Sequence, residues 1–339
     1  MSGVLELFEQ NPWLHGLWLG AALVTVVLTM VAWATWWERK FAARMQGRIG
    51  VSVTGPSGLL QPIADALKLM VKEDVVPDVA DRKLYTLAPF LAFLLTVSSA
   101  AVIPLAAGVA VADLNIGILF VLALGSMMVI PTWMAGWSSG NKYGVIGGMR
   151  AVAQSVSYEI PMVIAALVPV VLAGSMSLGE IAEAQAGYRW FALWPPGPGL
   201  VAFVIFFLSL LAEANRTPFD IPEAEAELVS GVLTDYAGMK FGLFYLAEYA
   251  HLIIGSATGA ALFLGGFEGP GPDTWWMAIL WLTCKTCILF TVVLWVRWTY
   301  LRLRPDQLMN FCWKVLIPAS LAVLMAAAVW VHFFPGVHS

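Results

Sequence analysis

Apolar runs of roughly twenty residues, divided by short polar stretches, recur from one end of the chain to the other. Eight of them read as membrane spans: 13–37, 84–111, 116–137, 155–174, 199–214, 241–266, 275–300 and 312–334. Most approach the length of about 17–25 residues that a helix needs to cross a bilayer. The fifth is short and ends on Glu213. Tryptophans stand near many ends (Trp36, Trp37, Trp137, Trp194, Trp275, Trp276, Trp298, Trp313), as in an aromatic belt at the membrane–water interface. The pattern predicts an all-α polytopic membrane protein of about eight transmembrane helices forming a single transmembrane domain over 1–339.

The polar stretch 38–83 departs from a plain loop. Within 57–74, Leu59, Leu60, Ile63, Leu67, Met70 and Val71 recur at spacings of three and four, while Asp65, Lys68 and Lys72 fall elsewhere. This spacing predicts an amphipathic interfacial helix, with Pro62 tolerated in its first turn. It fits either a surface anchor or a wall beside an entrance for a lipid-soluble molecule.

Composition agrees with the pattern. The chain is 60% hydrophobic and 12% charged, with mean hydropathy +0.80, whereas soluble domains carry about 25% charged residues. No basic residue occurs in 1–12, so no cleavable signal peptide is expected. Three cysteines give no disulfide framework. No basic tract points to nucleic acid, and no internal repeat points to an inverted-repeat transporter.

Charge then fixes an orientation. Every lysine and arginine except Arg189 and Lys285 falls on one side of the predicted spans. The positive-inside rule makes that side the cytoplasm and leaves both termini outside.

The negative charge is concentrated. The stretch 209–236 holds six acids (Glu213, Asp220, Glu223, Glu225, Glu227, Asp235) and one base, Arg216. It overlaps a cytoplasmic acidic loop assigned to 213–240. Carboxylates this dense oppose one another's ionisation and titrate as a group. Pro218 and Pro222 stiffen the segment, and its acids are interleaved with apolar residues, unlike a merely solvated loop. Ionisable residues within spans cost about 2.5–3.5 kcal/mol each on insertion scales and are functional candidates. They are Glu159, preceded by Tyr158; Glu213; Glu248, with Tyr249 and His251 beside it; and Lys285. The three acids, on the inner half, fit a proton path leading from the acidic loop. Lys285 fits equally a structural ion pair. Cys284 and Cys287 lack the companions of a metal site, the histidines show no ligand spacing, and the glycines at 144, 147 and 148 follow no strand and make no phosphate loop.

Several long motifs, in order and spanning nearly the whole chain, resemble one membrane-subunit family of respiratory complex I, the proton-pumping NADH:quinone oxidoreductase. It is the family of the H (or 1) subunit, which abuts the peripheral arm. The chief motif is Ala-Glu-Ala-Asn-Arg-Thr-Pro-Phe-Asp-Ile-Pro-Glu-Ala-Glu-Ala-Glu-Leu-Val-Ser-Gly at 212–231. Others are Glu38-Arg39-Lys40 with Arg44, Gln46 and Arg48; 58–68; Lys72-Glu73-Asp74; 136–139; Lys142-Tyr143; Ala153-Gln154; Ser157-Tyr158-Glu159; 238–241; Ala247-Glu248-Tyr249; 306–309; and Trp313-Lys314.

The resemblance implies a membrane subunit that forms part of a quinone chamber and couples quinone reduction to proton translocation. Quinone is then a substrate, and no cofactor is covalently bound. The implied partners are hydrophilic-arm iron–sulfur and quinone-site subunits, small membrane subunits, antiporter-like subunits and membrane lipid. The implied location is the bacterial cytoplasmic (inner) membrane. By position, Glu38, Arg39, Arg48, Asp65, Arg216, Asp220, Glu223, Glu225 and Glu227 fall on the chamber and its acidic loop. Tyr158, Glu159, Glu213, Asp235, Tyr236, Glu248 and Lys285 fall on or near the proton route. Related ferredoxin-dependent or hydrogenase complexes use an equivalent subunit, and a stand-alone cation transporter is a third reading of the same acids. The chain departs from the family at Gly50, followed by Val-Ser-Val-Thr where Gly-Pro-Asn is usual, at Asp235, where glutamate is usual, and at Pro305, where an aromatic residue is usual.

Overall fold

The computed structural model describes residues 12–187, 189–194, 196–222, 225–271 and 274–333, without the side chains of residues 12, 14, 15, 225 and 226. Among these residues thirteen α-helices run in order: α1 (Pro12–Met45), α2 (Gln61–Val71), α3 (Arg82–Ala100), α4 (Gly117–Met127), α5 (Val129–Ser138), α6 (Lys142–Ala173), α7 (Leu178–Glu183), α8 (Pro198–Glu213), α9 (Glu225–Leu228), α10 (Gly238–Phe263), α11 (Trp275–Thr299), α12 (Pro305–Phe311) and α13 (Ile317–Phe333). A π-helical turn, Cys312–Leu316, joins α12 to α13. No strand occurs among the described residues.

Among the described residues, seven segments are long and apolar enough to cross a membrane: Gly16–Met45, Arg82–Ala100, Gly117–Ser138, Lys142–Ala173, Gly238–Phe263, Trp275–Thr299 and Pro305–Phe333. The eighth expected span is α8, with only 16 residues. At 1.5 Å per residue it reaches about 24 Å, less than a hydrocarbon core of about 30 Å. It lies against α6 and α13, and its last residue, Glu213, is enclosed by protein.

Several helices start or stop away from the sequence expectation, each for a local reason. The first runs to Met45, so Glu38, Arg39 and Lys40 are helical. The fourth span begins at Lys142, well before 155, because its glycines are packing positions. A Cβ on Gly136 would stand 2.5 Å from the Gly144 carbonyl oxygen, and one on Gly147 would stand 2.9 Å from Gly231 Cα. Asn141 caps this helix, accepting from the Tyr143 amide, and Gly174 ends it at φ 72°. Asp81 caps α3 in the same way. The amphipathic helix is shorter than 57–74, since Pro56–Gly58 forms a separate turn.

The hub is α10. In its most apolar stretch 83% of residues are buried, against 17% for α1. It touches α1, α3, α7, α8 and α11. That enclosure explains how a helix can carry Glu248 and His251 through an apolar environment, since neither needs to face lipid.

Candidate functional site: an acidic cavity between four spans

A cavity of about 100 Å³ opens where α4, α5, α6, α8 and α10 meet. It has room for several waters. The break at Met128, between α4 and α5, lies on its wall with Gly125, Ser126, Val129 and Thr132. Glu159 of α6, Glu213 of α8 and Glu248 of α10 all line it, so the three intramembrane acids singled out in the sequence do come together.

Each acid has a different partner. Ser126 donates a hydrogen bond to Glu159. His251 Nε2 lies 3.3 Å from Glu213 Oε1. Glu248 Oε1 pairs with the Arg216 guanidinium at 2.9 Å. The guanidinium also lies over the Tyr249 ring, 4.5 Å from its centroid. Asp220, half-buried, is within electrostatic reach of Glu248.

The network continues toward the first helix. Tyr249 donates its hydroxyl to Glu38 Oε2 and shares a 2.9 Å contact with the Tyr245 hydroxyl. Arg297 of α11 pairs with the other oxygen of Glu38, which is buried. Arg216 is thus flanked by Glu248 on the cavity side, with Tyr249 and Glu38 beyond. Burial alone would lower its pKa, but these neighbours raise it on balance, so it stays charged.

The acidic loop is fastened at several points. Gln154 of α6 donates to the carbonyls of Ala212 and Phe219, at 2.7 and 2.6 Å. Glu227 bonds Arg150 at 2.6 Å and lies 3.5 Å from Arg302. Asp235 accepts from the Asn141 side chain at 3.3 Å. Burial pushes the Tyr236 phenol up to about 12, so it remains a donor, to the Tyr85 carbonyl. Glu223 lies outside the described residues, as does the Glu225 side chain.

The remaining sequence candidates are dispersed. Arg39 bonds Asp65 at 2.6 Å and ties the exposed α2 to α1. Arg48 is exposed and bonds Gln46. Tyr158 is buried and donates to the Leu308 carbonyl. Lys285 stands apart from the acidic cavity. Its amine donates to the carbonyls of Gly266 and Glu268, beyond the far end of α10, and lies over Trp190. Sequence reasoning assigned no role to Ser126, Tyr245, Tyr249, His251 or Arg297. Tyr249 and His251 had a signal, one and three residues after Glu248, with His251 on the same helical face. Tyr245, three residues before Glu248 on the same helix, had the same signal, whereas Ser126 and Arg297 come from other helices and had none.

A multi-pass helical membrane protein with a buried, charged cavity is therefore the class that fold and site define. The sequence model of the NADH dehydrogenase family matches residues 19–328. The chain belongs to that family. It is 46% identical over 327 residues to the H subunit of NADH-quinone oxidoreductase from Dehalococcoides mccartyi (strain CBDB1), covering 96% of this chain and 90% of the relative. The H subunits of Geobacillus kaustophilus (45% identical; 93% and 94% covered) and Rhodospirillum rubrum (44%; 92% and 93%) are similar along nearly their whole lengths.

Proposed function

We propose that this chain is the membrane subunit of a proton-translocating NADH:quinone oxidoreductase of the complex I type. It forms the membrane side of a quinone chamber and couples quinone reduction to proton translocation. The observation that carries this is the meeting of Glu159, Glu213 and Glu248, from three helices, in one cavity joined through Arg216 and Tyr249 to Glu38. The quinone-oxidoreductase relatives, which cover nearly all of the chain, support the same reading.

In this reading the chain itself carries no redox centre, and quinone is its substrate. Electrons arrive through iron–sulfur subunits of a hydrophilic arm that dock on the basic face, and antiporter-like subunits receive the coupling signal within the membrane. The protein lies in a bacterial cytoplasmic membrane with both termini outside, because all but two of its basic residues gather on the other side.

The chain's own residues do electrostatic work. Arg216 pairs with Glu248 at the edge of the cavity. A negative charge developing on the chamber side competes for Arg216 and weakens that pair. The change at Glu248 then reaches Glu213 and Glu159 across a small, poorly screened space. A proton taken up or released there carries the signal onward.

Glu213→Gln tests this, because Gln keeps size and hydrogen bonding without charge. In the intact complex in proteoliposomes, donor-driven quinone reduction and proton uptake should both fall. Wild-type values for both would reduce Glu213 to a helix-end residue. Lost pumping with normal reduction would place it outside obligatory coupling.

A further inference from the structure

His251 is the one basic side chain among the described residues lining the acidic cavity. It and Glu213 are mostly enclosed, at 13% and 14% exposure. The second oxygen of Glu213 and Nε2 of His251 are both buried without a hydrogen-bond partner, so the 3.3 Å approach of Nε2 to Oε1 is an ion-pair contact. The cavity that the imidazole lines is walled by Glu213 from α8, Glu159 from α6, Ser126 from α4 and Thr132 from α5, with Glu248 one turn back on its own helix. Glu248 in turn holds Arg216 from the acidic loop and is within reach of Asp220. Gly125 makes the room, since a Cβ there would stand 2.9 Å from Glu213 Oε1 and 3.7 Å from the imidazole.

We propose that His251 and Glu213 share one exchangeable proton, and that this pair is where the cavity holds it. This rests on the proposed function and names a positioning residue within it. With the proton on Nε2, an imidazolium faces a carboxylate. With the proton on Glu213 Oε1, a neutral imidazole faces a carboxylic acid. Moving it breaks an N–H bond and forms an O–H bond, and the pair stays neutral overall. Release to cavity water leaves the pair at one negative charge. The occupancy follows Arg216: when the guanidinium leaves Glu248, the uncompensated carboxylate one turn away favours a proton on the pair. When Arg216 returns, the proton is released.

The test uses the intact complex in proteoliposomes, with the rates of proton uptake and of quinone reduction each followed from about pH 5 to about pH 8, where histidine titrates. His251→Gln keeps a hydrogen-bonding side chain and removes the ionisation. Uptake should fall at least about fivefold, the lower end of typical coupling between linked sites, and its pH dependence should flatten. The double variant with Glu213→Gln should be no worse than Glu213→Gln, as for residues acting as a unit. Gly125→Ala, which wedges the pair apart and removes neither partner, should flatten the same profile. A wild-type pH profile and uptake in His251→Gln, with Glu213→Gln impaired, would make His251 a packing residue and overturn the proposal while leaving the function standing. Wild-type behaviour in Glu213→Gln itself would overturn both.

Discussion

Tyr85 and Tyr236 lie face to face, with ring centroids 4.1 Å apart and planes 3° from parallel. Tyr85 donates its hydroxyl to the Asp235 carbonyl at 2.7 Å, and Tyr236 donates to the Tyr85 carbonyl at 3.2 Å. The pair clamps the end of the acidic loop to α3. Tyr85→Phe keeps the stack and loses one hydrogen bond, which should cost about 1 kcal/mol. Tyr236→Ala also loses the ring, for about 3–5 kcal/mol. Thermal unfolding of the purified complex should rank the two variants in that order; equal shifts would mean the stack contributes little.

Arg216→Ala removes the base beside Glu248 and the cation over Tyr249. Leaving a buried charge without its partner costs about 3–5 kcal/mol, toward the lower end here because Glu248 keeps 18% exposure. Burial of the side chain adds a stability cost, so assembly must be checked first. In complex that does assemble, quinone reduction should slow at least about tenfold, equivalent to about 1.4 kcal/mol in the barrier. Normal turnover with a short-chain quinone would count against a role at the chamber.

The Glu227 carboxyl is held below the usual range chiefly by its hydrogen bond from Arg150, with Arg302 adding to the effect. A depressed carboxylate contributes its attachment above its unfolded pKa and loses it as pH falls through the folded one. The fastening of α9 to α6 should therefore be unchanged from neutral pH down to about pH 4, the ordinary glutamate value, and loosen only below it. Hydrogen exchange at 225–228 measures this. Loosening already near pH 6 would assign the attachment to another group.

Both chain ends should report from the outer face. Tags before Ser2 and after Ser339, probed for accessibility in intact cells, test the orientation drawn from the basic residues. A cytoplasmic signal at either end would reverse or break the span count.

The fold class was legible because soluble folds seldom contain apolar runs of bilayer length, and the three acids stood out because charge within such runs is rare. Boundaries were less legible. Gly144, Gly147 and Gly148 read as a loop, yet they belong to a helix, and at Gly147 the Gly231 and Val232 backbone lies 2.9 Å from where a Cβ would stand. Lys285 looked like a companion of the acids because it shares their rarity, but sequence position could not show that its amine turns to the carbonyls beyond the far end of α10. The partners of Glu38 were hidden for a different reason: an ion pair between distant helices leaves no periodicity in either.

Glu38 also bears on how the chain is made. Its two partners, Tyr249 and Arg297, follow it by 211 and 259 residues. At about 5–20 residues per second, synthesis reaches the nearer one roughly 10–40 s after Glu38 itself. Until then the Glu38 end of the first helix has only water and early segments for company. The first helix inserted is thus among the last to be locked, and a ribosome stalled before α10 would leave a nascent chain whose opening segment can still shift in the bilayer.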